Sequence, residues 1–209
     1  MNITIVFFLG LVIAFIGVIP PGLLNMTAAK ISLKEGYVRG IMFSVGVCIT
    51  VIFQTYIAAI FARYISNHQE IVDILQRIAF VVFVLISIYF LLIAKKHPKL
   101  KVNANSKSKR SRFFQGMFLA GINMLPIPYH AYMTTTFASM GWLTFENTII
   151  ISYVAGVAMG TFVMLYFYIF FFEKIKSKNL TSQKSMNYSI GAITGIIALI
   201  TLINILKEI

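Results

Sequence analysis

The chain holds one cysteine, one tryptophan, five prolines and only six acidic residues among 209. The lone Cys48 excludes an intrachain disulfide framework and any multi-cysteine metal site. Inside an apolar run it needs no account beyond that of a small buried hydrophobe. No Asp or Glu falls deep within an apolar run, so a bare divalent metal or a cationic side chain held there would have no counter-charge, at a cost of many kcal/mol. No metal site and no cofactor are expected. Charged residues make up 11% of the chain and hydrophobic ones 59%, against about 25% and about 45–50% in soluble domains. With a mean hydropathy of +0.86, this is the composition of an integral membrane protein. The net charge of +12 sits between the apolar runs, so it describes loops and topology rather than a nucleic-acid surface.

Six runs are long enough to cross a bilayer as helices, a task of about 20 residues: 3–29, 38–62, 71–94, 113–138, 147–172 and 188–206. The opening residues carry no basic n-region and no Ala-x-Ala cleavage signal, so the first run is expected to be retained. Connections are short except for 95–112, which holds eight basic residues and no acidic one. Together with the first and fifth connections it places fifteen of the eighteen Lys and Arg on one side. The cytoplasmic excess of basic residues then predicts both termini outside. The expected organisation is a three-helix repeat over 1–94, a basic cytoplasmic loop over 95–112 that is solvated and touches anionic lipid, and a second three-helix repeat over 113–209.

The halves look related. A shift of 110 places Gly46 and Val47 on Gly156 and Val157, and Tyr56 on Tyr166. With three spans each, the repeats must be inverted, and proline breaks fall in the first span of both. Broken helices at matching places of inverted repeats point to a secondary transporter with its site near the midplane.

The second break is Asn123-Met-Leu-Pro126-Ile-Pro128-Tyr-His130-Ala-Tyr132. Pro126 and Pro128 bring no amide hydrogen, so the carbonyls of Ile122 and Met124 are expected to lose their partners, with Leu125 and Ile127 pushed out of helical geometry. The first break is Pro20-Pro21-Gly22-Leu-Leu-Asn25. Backbone freed at membrane depth is tolerated only against protein or a wet cavity. Free amides at restarting half-helices suit a carboxylate, and free carbonyls with Asn oxygens suit an ammonium group. Gly22 lets the backbone approach a ligand. Candidate binding residues are therefore Pro20, Pro21, Gly22, Asn25, Gln54, Asn123, Pro126, Pro128 and Tyr132.

His130 is the one in-span group able to change charge near neutral pH, which suits a proton relay. The competing expectation is a neutral imidazole bonded to a freed carbonyl. Gly46, Thr50, Gln54, Ala58 and Ala62 form a small and polar stripe, as do Ser152, Gly156 and Gly160. Such stripes pack helices closely and permit a homodimer. The aromatic run from Tyr166 to Phe172 is expected to face lipid.

These motifs, with Phe113-Phe-Gln-Gly116 opening the fourth span and Gly191 and Gly195 in the last, resemble the LysE/RhtB superfamily of bacterial amino-acid exporters over nearly the whole chain. The resemblance implies export of amino acids or related metabolites across the bacterial inner membrane, driven by proton antiport, with lipids and the small solute as partners. Two departures stand out: Pro21-Gly22 follows where many members carry an acidic or amide residue, and Asn-Pro is stretched to Asn-Met-Leu-Pro. The rival readings are a cation or metal exporter of the same superfamily, a membrane-embedded enzyme, and an assembly protein.

Overall fold

The computed structural model describes residues 2–19, 22–67, 69–93, 108–175 and 183–207, and every regular element among them is helical. The elements are α1 (Ile3–Val18), α2 (Leu23–Glu35), α3 (Tyr37–Ser66), α4 (Gln69–Ile88) running into a π-helical turn (Tyr89–Ile93), α5 (Lys109–Ile122), α6 (Pro126–Ser139), α7 (Asn147–Ile175) and α8 (Gln183–Lys207). Two helical stretches, Tyr37–Ser66 and Asn147–Phe171, are each long and apolar enough to cross a membrane, and α1 with α2 qualifies as one span bent by 81°. Shorter apolar helices cover Phe80–Ile93 and Thr194–Ile203. The protein is all-helical and apolar in the manner of a membrane protein.

The helices group into two compact units, one of α1, α2, α3, α5, α6 and α7, the other of α4, the π-turn and α8. Each unit draws on both halves of the chain. The core of the first joins Val6 and Ile13 of α1, Ala28 and Ile31 of α2, Phe43 and Val47 of α3 and Ala120 of α5 with Phe137, Tyr153 and Val157. Phe53, Ile57, Phe61 and Tyr64 lie exposed along the other side of α3, the apolar face expected of a helix in lipid.

Small residues decide which helices meet, because hydrocarbon offers no hydrophobic drive for helix association and close backbone approach must supply the attraction. Along α3, Gly46 lies against the Phe113 carbonyl, Thr50 donates to the Met117 carbonyl at 3.2 Å and Gln54 donates to that of Ala120 at 3.0 Å. The Gly46, Thr50 and Gln54 part of the stripe read from the sequence is thus the seam with α5. Along α7, Ser152 donates to the Ile3 carbonyl at 2.8 Å, Gly156 lies against Phe7 and Gly160 against Leu11. Both helix pairs run parallel, since contacts advance in the same direction on each.

The two seams are built alike. Gly116 of α5 sits against the Phe43 carbonyl just as Gly46 sits against Phe113, and Gly10 of α1 sits against the Tyr153 carbonyl just as Gly156 sits against Phe7. Each crossing is a reciprocal glycine pair. In the second unit Ser87 of α4 donates to the Gly191 carbonyl of α8 at 2.8 Å, and Gly191 and Gly195 receive Leu91 and Ser87.

One local expectation fails. Leu125 is helical (φ −59, ψ −33), and Ile127 lies inside α6. Pro126 and Pro128 begin the new helix instead of interrupting the old one, because the first amides of a helix have no intrahelical acceptor and a residue without N–H loses nothing there. The break lies earlier, at Asn123 (φ −77, ψ 90), and the Met124 carbonyl is met by the Ile127 amide at 3.2 Å.

Candidate functional site

At the first break, α1 ends at Val18 and α2 starts after Gly22, whose backbone is extended (φ −96, ψ 179). Pro20 and Pro21 lie outside the described residues. Asn25, 4% exposed in the first turn of α2, donates through Nδ2 to the Val18 carbonyl at 2.6 Å. The Tyr168 hydroxyl of α7 donates to the Ile19 carbonyl, also at 2.6 Å. Two of the carbonyls where α1 stops, those of Val18 and Ile19, are therefore held by side chains, as buried backbone acceptors require.

The second break is served from α3. Gln54 Nε2 donates to the carbonyls of Ala120 and Asn123, both at 3.0 Å. Its Oε1 is buried and has no hydrogen-bond partner among the described residues, and neither has the Thr55 hydroxyl beside it. An amide oxygen left bare in a low-dielectric interior costs about 1–3 kcal/mol, so this atom is poised to accept from a water or from a solute donor. Replacing Gln54 by Leu strands the Asn123 carbonyl, whereas Ala120 keeps the Asn123 amide at 3.1 Å. Gln54→Leu should thus destabilise by about 1–2 kcal/mol, read as a lower melting temperature in detergent. An unchanged melt would show that water serves this carbonyl equally well.

The two breaks are stitched together by α6. The Tyr129 hydroxyl donates to the Ile13 carbonyl of α1 at 3.0 Å, and its ring lies against Gly17. Next to it His130, 4% exposed, shares a 3.0 Å hydrogen bond between Nδ1 and the Tyr153 hydroxyl of α7. The partner of this nitrogen is a phenol, not a freed carbonyl, and the His130 carbonyl itself accepts from Thr134 at 2.7 Å. Pro128 is exposed, Pro126 and Tyr132 are partly buried. Of the residues singled out from the sequence, Gln54 touches the Asn123 backbone directly, and Asn25 serves its own break.

Four contributors were not foreseen. Tyr153 and Tyr168 are 0% and 7% exposed and point inward. Tyr168 lay in the aromatic run assigned to lipid; its neighbours Phe167 and Phe170 are exposed as expected, but Tyr168 falls on the buried face with Thr161 and Leu165. The three- and four-residue spacing of 153, 157, 161, 165 and 168 carried that signal. The other two are Glu35, which no motif marked, and Arg112, expected in the solvated basic loop. Arg112 Nε donates to Glu35 Oε2 at 2.8 Å, a terminal nitrogen donates to Oε1, and both side chains are 2% exposed. Arg112 is therefore not part of a solvated loop: α5 already begins at Lys109, capped by the Ser108 hydroxyl, which accepts from the Ser111 amide at 3.1 Å.

The polar groups gathered at the breaks are donating amides and hydroxyls, accepting carbonyls and one imidazole. Groups of these kinds can hold a small polar solute by hydrogen bonds. No curated protein and no solved structure matches the chain. The model of the LysE type translocator family does, over residues 4–204. That match takes in both broken spans and both glycine seams, and the chain belongs to the LysE type translocator family.

Proposed function

We propose that the protein exports small neutral amino acids or related metabolites across the bacterial inner membrane, by proton antiport with alternating access. The observation that carries this reading is the pair of helix breaks in one core, each with two carbonyls held by side chains, and with the Gln54 amide oxygen left to accept a further donor. A zwitterion suits these groups, its ammonium toward Gln54 Oε1 and the carbonyls, its carboxylate toward the opening amides of α2; α6 opens on two prolines, and its Ile127 amide is already bonded to the Met124 carbonyl. Gly22, Asn25, Asn123, Tyr132 and the segments holding Pro20, Pro21, Pro126 and Pro128 would line the site. Among the described residues the one buried carboxylate, Glu35, is already paired with Arg112, which leaves none to balance a lysine or arginine side chain and favours neutral substrates.

The reading includes six spans, both termini outside, and inverted repeats over 1–94 and 113–209 joined by the basic segment 95–112. The seams support the repeats. A shift of 110 on α3 and 106 on α1 turns the contact of Gly46 with Phe113 into that of Gly156 with Phe7, and the contact of Gly116 with Phe43 into that of Gly10 with Tyr153. A two-fold relation would generate this pairing, and it gives the two states of an alternating-access cycle similar packing.

The deciding experiment is a thermal-shift panel of the purified protein against the amino acids and divalent metals at two pH values. Stabilisation follows RT ln(1 + [L]/Kd), about 2.7 kcal/mol at a hundredfold excess over Kd. A shift with neutral amino acids is expected; a shift with metals alone would turn the assignment to cation export. For proton coupling, His130→Ala in proteoliposomes should abolish gradient-driven efflux while counterflow exchange of the same solute persists. Driven efflux at the parent rate would remove His130 from the mechanism.

A further inference from the structure

Glu35 ends α2 and Arg112 lies in the first turn of α5, so their two-point ion pair joins the basic-side ends of the two broken spans. Each partner is itself held. Arg39 donates to the Glu35 carbonyl at 2.6 Å across the Gly36 turn (φ 99), and Gln115 Oε1 accepts from Arg112 Nη1. Among the described residues the other end of the fold has no counterpart: the shift of 106 carries Arg112 back to Val6, an apolar core residue, and Glu35 to Gly141, while the offset between the starts of α2 and α6 carries Glu35 to Ala138.

We propose that the Glu35–Arg112 pair is a one-sided latch that keeps the basic-side mouth of the path closed and parts each time that mouth opens. This rests on the alternating-access reading above. A buried ion pair suits the task because the attraction lost on parting is offset by the water each group regains. It is also directional: two parallel N–H···O bonds re-form in one register only, so the half-helices return to one closed position. The asymmetry gives the closed basic side a fastening that the opposite side does not share.

The test has two arms, both on full-length protein. In a Cys48→Ser background, Glu35→Cys with Arg112→Cys is joined by a short bis-maleimide, and counterflow of a radiolabelled amino-acid mixture is measured in proteoliposomes. Cross-linking should stop counterflow while the amino-acid thermal shift persists; full counterflow in the cross-linked protein overturns the latch. In the second arm, hydrogen–deuterium exchange in nanodiscs follows the amides of 30–36 and 109–115. Glu35→Gln should speed their exchange about tenfold, and the swap Glu35→Arg with Arg112→Glu should restore most of the protection. Exchange unchanged by Glu35→Gln overturns the latch even when no substrate is known. A parent protein without counterflow or amino-acid shift instead fails the transport reading, and the exchange arm still decides the ion pair.

Discussion

Alanine at Gly156 or Gly46 is expected to destabilise the protein by about 3 kcal/mol, the top of the range for overpacking a tight interface. The reason is the identity of the neighbour. A Cβ built on Gly156 collides with the Phe7 carbonyl oxygen, and one on Gly46 with that of Phe113. Backbone cannot swing aside as a side chain would. On α7 the seam is pinned on both sides of Gly156, by Ser152 bonded to Ile3 and by Gly160 against Leu11; separating the helices there gives up those contacts too. Gly121 is the control: it is helical with nothing within 4 Å of its built Cβ, so Gly121→Ala should gain about 0.5–1 kcal/mol from helix propensity. The measurement is thermal unfolding in detergent. Similar losses at 46 and 156 fit the two-fold relation of the seams; a parent-like melt for Gly156→Ala would mean that α1 and α7 do not touch along this line.

The seams were legible because small residues at four-residue spacing have one economical use in hydrocarbon. The breaks were legible too, but not their location. Proline forbids a helix from continuing through it and equally favours starting one, so Pro126 and Pro128 left open whether they end α5 or open α6. The structure takes the second course, and the break moves to Asn123. Gln54 stood in the small and polar stripe and among the candidate binding residues, yet nothing local shows that its partners are the carbonyls of Ala120 and Asn123, sixty-six and sixty-nine residues away. Tyr168 was hidden by composition: in a run of Phe and Tyr, facing is settled only by the neighbouring helix. Glu35 and Arg112 were hidden by position, since charges at the ends of apolar runs are usually solvated and mark topology.

Arg112→Ala should be the most damaging substitution outside the seams, with a loss of about 3–5 kcal/mol. It would leave the Glu35 carboxylate buried without its guanidinium and take from Gln115 the donor it accepts. The loss should persist at high salt, because screening reaches buried pairs weakly. Replacing both partners by apolar residues, Glu35→Leu with Arg112→Met, should recover most of the melting temperature, since no uncompensated charge remains. A double-mutant cycle would then report a coupling of about 2–3 kcal/mol. If Arg112→Ala and the apolar pair melt alike, the two groups are hydrated and the pair is not buried. If the apolar pair is as stable as the parent and yet transport is impaired, the charges are needed for reversibility and not for cohesion. An apolar plug exposed by opening must be hydrated at about 25 cal/mol per Å², whereas separated charges are welcomed by water. That difference would give a translocator reason to join two helices by a buried ion pair where they must part and close again.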